Sequence, residues 1–298
     1  MERTQARAEG GYEMASFTNQ ATLRYNGLQV NSNVVTGQTV STVTLTKTPV
    51  GTVYGPGDTI TYVISLVNSG SAAVENQTLT DDLGGYEIGG GQTAYPLAYE
   101  ADSIQYYVNG VLQPAPTVTP GPPLSVTGLS VPAGGNAVLV YEARVTAAAP
   151  LTVGAQITNT VSLAGAGRTE PLTAQATVSM ATGPMLTILK SLSPAVVGEN
   201  GQLTYTFLIQ NSGNEAAGAD AAIAVSDLFN PILSNLSVTL DGQPLALTTD
   251  YTYDQGSGQF NTVPGKITVP AAVYAQDTAT GNWTVTPGEA VLVVTGTV

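Results

Sequence analysis

The sequence predicts an all-β protein of two tandem immunoglobulin-like β-sandwich domains, preceded by an N-terminal strand or hairpin arm. Polar and apolar residues alternate with period two from Thr59 to Val67 (TITYVISLV) and from Leu203 to Ile209 (LTYTFLI). Each run breaks at an Asn-Ser-Gly turn, Asn68 to Gly70 and Asn211 to Gly213, and no window of similar length carries a helical period. The two runs also belong to one internal repeat that accounts for most of the chain.

The repeat is anchored by lysines. Lys47 in TLTKT corresponds to Lys190 in TILKS, and the Thr-Tyr pair and the Asn-Ser-Gly turn follow each at the same offset. Leu79-Thr-Asp81 then matches Val225-Ser-Asp227, and the Asn109-Gly110 and Asp241-Gly242 hairpin turns correspond loosely. Ala137 to Val140 (AVLV) matches Ala290 to Val293. These matches divide the chain into a flexible leader (1–16), an arm (17–41), a first sandwich (42–183) and a second (184–298).

The repeat is out of phase. The first copy continues through Ile157 to Leu163 and on to Val178, a terminal hairpin, whereas the second stops at Val298 without that continuation. The arm supplies a matching piece. Phe17 to Leu23 (FTNQATL) resembles Ile157 to Leu163 (ITNTVSL), and Val34 to Val40 resembles the strand ending at Val178. A sandwich lacking its last strands exposes unpaired backbone and an apolar groove. The expectation is that the arm of one copy, through Phe17, Ala21, Leu23, Val34 and Val35, completes the second sandwich of the next by strand addition. Such a head-to-tail contact propagates a homopolymer. Return to the same chain is awkward, because the seven residues from Val40 to Lys47 span only about 23 Å. A merely shorter second domain with a decorative arm is the plainer alternative.

Composition excludes several functions. The chain has 298 residues, 10% of them charged, with a net charge of −13 and neither cysteine nor histidine. Disulfides, thiolate or histidine metal sites and histidine-dependent hydrolase triads are therefore excluded, and no cofactor is implied. The acidic balance argues against nucleic acid, and no stretch approaches the roughly 20 apolar residues of a membrane span. The chain is not expected to be an enzyme acting on a substrate. Residues 1–13 (MERTQARAEGGYE) show no signal peptide, so the expected cell- or spore-surface location implies another export route, or a signal removed; Met14 is a second candidate start.

Three lysines are present, and two share a repeat position. Lys47 with Asp81 and Asn159, and Lys190 with Asp227 and Asn19, form the constellation needed for a spontaneous isopeptide bond. Burial lowers a lysine's pKa to give a neutral nucleophile, and a carboxyl kept protonated by the same burial donates to the asparagine carbonyl. Asp82 beside Asp81 leaves the acid open. The ordinary reading is a solvated lysine, a turn-opening aspartate and a hairpin asparagine. Tyr62, Tyr106 and Tyr141 read as core or cross-strand partners.

The pattern LTKT…PGDTITYVISLVNSGSAAVENQTLTDDL…ITNTVSL resembles a bacterial conserved repeat domain, the eleventh of the domains of unknown function, and the isopeptide-forming domains of Gram-positive fimbrial subunits. The second copy, ILKSLSP…GQLTYTFLIQNSGN…VSDLF, is similar but departs further. The resemblance implies an immunoglobulin-like surface repeat, of the kind found in spore appendages of clostridial-type Firmicutes. No C-terminal sorting motif or membrane tail is visible, which favours self-assembly over sortase linkage. The runner-up function is an adhesin that displays loops such as Tyr86 to Tyr107 to a host ligand the sequence does not identify.

Overall fold

The computed structural model describes residues 14–40, 42–165 and 170–298. The described residues contain no α-helix, only strands and two short 3-10 turns. The expected flexible leader falls outside them, except that Met14–Asn19 already forms the first strand.

The alternating runs become the central strands of sandwiches. In the first sandwich, Thr59–Asn68 lies between Val43–Val50 and Asn136–Val145, and Gln105–Val108 and Val111–Leu112 extend the sheet beyond. The facing sheet runs Thr117–Thr119, Leu124–Val131, Val74–Asp81, Gln156–Ala164, Leu172–Met180, Val53–Tyr54. Inward residues of both sheets, including Ile64, Leu66, Leu79, Val126, Leu139, Val161 and Val178, form one buried core. Gln156–Ala164 and Leu172–Met180 form the closing hairpin, which buries its alternate residues Ile157, Asn159, Val161 and Leu163. Tyr86 to Tyr107, expected as a displayed loop, instead folds into short strands. Leu97–Tyr99 and Gln105–Val108 both pair with Asn136–Val145, because Ala94, Leu97 and Tyr106 are apolar enough to join the core.

The second sandwich repeats the first sheet in the order Leu186–Ser193, Gln202–Asn211, Gly288–Thr297, Ser234–Leu240, Gln243–Pro244. Its facing sheet has three strands, Ser226–Leu228, Gln259–Thr262 and Tyr251–Asp254. Among the described residues, no strand takes the place of the closing hairpin. The Asn-Ser-Gly motif is more than a turn in both copies. Asn68 is fully buried and donates to the carbonyls of Ala72, Val131 and Pro132, while Asn211 donates to those of Glu215 and Pro270. Gly213 passes so close to the linker that a Cβ there would lie 2.2 Å from the Gly183 carbonyl oxygen.

A hairpin of Val273–Gln276 and Trp283–Thr286 reaches from the second sandwich onto the first, where Tyr274 and Trp283 pack against its core. The Trp283 amide donates to the Ala147 carbonyl at 2.7 Å, and Gln276 Nε2 donates to the Tyr86 hydroxyl at 2.7 Å. Asn214 adds donors to Ala181 and Leu151.

The arm is itself a hairpin. Met14–Asn19 pairs with Val35–Val40, and Thr22–Tyr25 with Leu28–Asn31 around an Asn26-Gly27 turn in which both residues have positive φ. Phe17 lies over Gly37, where a Cβ would sit 2.4 Å from the ring, so the aromatic requires glycine opposite.

Candidate functional site

The geometry is clearest in the first sandwich. Lys47 is in the middle of Val43–Val50, not at a strand end, and on the inward face. Asp81 closes the strand Val74–Asp81, and Val161, two residues beyond Asn159, is its register partner on the closing hairpin. Lys47 Nζ donates to Asp81 Oδ2 at 2.6 Å, and both side chains are fully buried. The Tyr141 hydroxyl donates to the same oxygen at 2.5 Å, and Asn159 Nδ2 points at that hydroxyl from 3.5 Å. Asp81 Oδ1 accepts from the Leu83 amide. Lysine, aspartate, tyrosine and asparagine thus form one dry cluster, with Tyr62 beneath the amine at 4.7 Å.

Burial sets the electrostatics. Desolvation holds the Lys47 amine below the usual lysine range, although Asp81 pulls the other way. Burial pushes Tyr62 and Tyr141 well above the ordinary phenol range. Asn159 Oδ1 and the Tyr62 hydroxyl are buried without a hydrogen-bond partner. An unpaired buried carbonyl is costly, about 1–3 kcal/mol, and the same carboxamide is held in the cluster through its Nδ2 contact with Tyr141. Asp82 has a different task. Its Oδ1 accepts from the Gly84 and Thr160 amides, which pins the closing hairpin to the turn after Asp81.

The second sandwich has the same pair in the open. Lys190 Nζ forms a close ion pair with Asp227 Oδ2, but its side chain is 41% exposed. Its ammonium stands 4.4 Å from the Tyr205 ring centroid, the counterpart of the Lys47–Tyr62 contact. Where the first sandwich has Tyr141 opposite Tyr62, the second has Val294 opposite Tyr205, so Asp227 has no tyrosine donor there. Every residue of Leu186–Ser193 is exposed, including Leu186, Ile188 and Leu192. The outer edge of Ser226–Leu228, opposite its pairing with Gln259–Thr262, carries no strand. These two elements are linked by the Lys190–Asp227 pair, and each pairs with a strand on one side alone among the described residues.

Asn19, the third member expected at this site, is not brought to Lys190 within the chain and lies exposed in the arm. Phe17, Ala21, Leu23, Val34 and Val35 are exposed as well. Phe17, Asn19, Ala21 and Leu23 alternate in sequence across the break between Met14–Asn19 and Thr22–Tyr25, and Asn19 sits opposite Val35 as Asn159 sits opposite Ala176. Tyr141 is the functional residue that sequence reasoning placed only in the core. The signal was present: the AVLV match continues into Tyr141 against Val294 at an aligned buried position.

With its paired antiparallel sheets, the chain is an immunoglobulin-like β-sandwich protein of the all-β class. Solved structures to which it is similar include the pilus backbone protein of Streptococcus pneumoniae, at 14% identity over 82% of this chain and 55% of that one, with a TM-score of 0.35. The major pilin subunit of Bacillus cereus matches at 11% identity over 96% of this chain and 79% of that one, with a TM-score of 0.35. The collagen-binding subdomain of an Enterococcus faecalis surface protein matches at 10% identity over 45% of this chain and 95% of its own, with a TM-score of 0.29. The chain spans about half the length of the first of these, 55%. No protein-family model and no curated protein matches. Among the described residues, no helix is long and apolar enough to cross a membrane.

Proposed function

We propose that this protein is a structural subunit of a microbial surface or spore fibre, joined head to tail by the arm hairpin of one copy seated in the second sandwich of the next. The observation that carries this reading is internal to the chain. The first sandwich holds a hairpin between its lysine and aspartate strands, the second leaves that place open, and residues 14–40 form a hairpin of matching pattern with its apolar face in solvent. Burying side chains such as Leu23, Ile188 and Leu192 contributes about 1.5–3 kcal/mol each. The closed edge adds backbone pairing.

Isopeptide bonds at the two lysines would make the fibre permanent. In the first sandwich the neutral Lys47 amine attacks Asn159 Cγ while the Asp81 carboxyl donates to Oδ1. The Nζ–Cγ bond forms and the Cγ–Nδ2 bond breaks. Nδ2 takes the amine proton and leaves as ammonia. Lys190 with Asn19 of the neighbouring copy is the second pair. A cysteine-free chain gains in this way the cross-links that disulfides would otherwise supply.

The test is electron microscopy beside denaturing electrophoresis of the full chain. Filaments and a boiling-resistant ladder that collapses to monomer in Asn19→Ala and Lys190→Ala are expected. A preparation that stays monomeric at every concentration overturns the fibre reading.

A further inference from the structure

The two lysine sites differ in one respect that sets their order of reaction. Lys47 is enclosed within its own chain, by a closing hairpin whose Ala174 and Ala176 face the core beside it. Lys190 has the same strand position, the same aspartate and the same aromatic ring beneath it, yet solvent reaches its amine. Besides the tyrosine at Asp81, what separates them is the cover. An exposed amine paired with a carboxylate attacks an activated acylating reagent but not an unactivated carboxamide, because water stabilises both charges of the pair and keeps its lone pair protonated most of the time.

We infer that the second cross-link site is switched on by docking: the incoming hairpin of another copy supplies the asparagine and also the enclosure that makes Lys190 reactive. This rests on the proposed fibre reading and deepens it. The first sandwich supplies the register. Val161, Ser162 and Leu163 pair with Asp81, Thr80 and Leu79, so Ala21, Thr22 and Leu23 of the incoming hairpin pair with Asp227, Ser226 and Val225. Asn19 then stands two residues beyond the Asp227 pairing, where Asn159 stands relative to Asp81.

Once Leu23, Ala21 and Val35 cover the groove, water leaves the Lys190–Asp227 pair. The proton passes from Nζ to the carboxylate, which leaves a neutral amine beside a neutral acid. Nζ bonds to Asn19 Cγ, the acid donates to Oδ1, and Cγ–Nδ2 breaks. The departing ammonia takes up the remaining proton as ammonium, and Asp227 returns to carboxylate. No oxidant or other reactant is needed. Subunits therefore remain free of this bond until correctly seated, so misaligned contacts stay reversible and seated ones become permanent. The first bond needs no partner and forms in the isolated subunit.

The experiment follows amine accessibility and mass in full-length chains. Asn19→Ala docks but has no carboxamide to bond, so in its sedimenting assemblies Lys190 should react with an amine-acetylating reagent about tenfold more slowly than in dilute subunits. Ile188→Asp on the groove and Leu23→Asp on the hairpin both alter exposed side chains and so spare the fold. Each should stay dispersed, keep Lys190 open to the acetylating reagent, lack the 190–19 bond and still lose about 17 Da from the first sandwich. A 190–19 bond in either dispersed variant overturns the inference. So does an assembled Asn19→Ala chain whose Lys190 is acetylated as fast as in free subunits, and that result leaves the fibre reading standing. Failure of the unaltered chain to assemble overturns both.

Discussion

Lys47 and Lys190 stand at the same position of the same strand, yet one side chain is fully buried and the other is 41% exposed. The lysine–aspartate contact and the aromatic ring beneath the amine are common to both sites. Two things differ: a covering hairpin and a tyrosine. A dry lysine–aspartate pair in this fold is thus a property of the complete sandwich, and the lysine and aspartate alone do not create it. In the first sandwich, the 111 residues between Lys47 and Asn159 bring the chain back to complete the site. In the second, no strand among the described residues takes that place.

The largest expected effect breaks the comparison at the first sandwich. Asn159→Ala removes the carboxamide of the proposed cross-link without removing a charge. If closing a loop of that length acts on the unfolded chain as a disulfide does, the loss is about 5 kcal/mol. In a domain of this size that is a fall of roughly 10–20 °C in melting temperature. Calorimetry should show the first sandwich falling toward the second, and an unchanged melting temperature would mean that no bond links Lys47 to Asn159.

Tyr141→Phe sharpens the role of the tyrosine. It removes the donor to Asp81 Oδ2 and leaves a buried acceptor short, a cost of about 1–3 kcal/mol. Bond formation, read as ammonia release after refolding, should also slow. A variant that cross-links at the normal rate would assign Tyr141 to packing alone.

The pH dependence of Asn159→Ala gives a further check. The folded pKa of Lys47 lies below its unfolded value of 10.5, so the unfolded chain binds more protons between the two values and stability rises with pH through that window. Above about pH 10 the sign reverses. Tyr62 and Tyr141 have raised folded values, so they ionise first in the unfolded chain and stability falls. Urea melts across this range should show a maximum near the crossover. If the proposed bond forms in the unaltered chain, an amide replaces the amine there and the rising limb should be absent.

The smallest effect concerns the seam. Tyr86→Phe removes the hydroxyl that donates to the Ala148 carbonyl and accepts from Gln276, a loss of about 1 kcal/mol. It should loosen the coupling between the two unfolding transitions while leaving both cross-link sites intact. Two transitions that stay equally coupled would show that Trp283 and Asn214 suffice.

Much of this was legible in the sequence because it is periodic. Alternation along Thr59–Asn68 and Gln202–Asn211 fixes which face is buried, and Asn-Gly and Asp-Gly pairs mark hairpin turns by their need for positive φ. The pairing of lysine with aspartate also follows from the repeat, although their separation is 34 residues in the first copy and 37 in the second. What was not legible depends on contacts between distant segments. Nothing local in Tyr141 shows that its hydroxyl will meet Asp81, 60 residues away in sequence. The strands within Tyr86 to Tyr107 are short, glycine-rich and without clean alternation, so they read as loop until Asn136–Val145 pairs with them. The seam hairpin has no counterpart in the first copy, so the repeat carried no hint of it.

The most direct test of the central claim is a density map of the assembled fibre at side-chain resolution. The account predicts residues 14–40 of one copy between Leu186–Ser193 and Ser226–Leu228 of the next, with Ala21 opposite Asp227 and continuous density from Asn19 to Lys190. A groove filled by any other segment, or the hairpin folded back on its own chain, would contradict it.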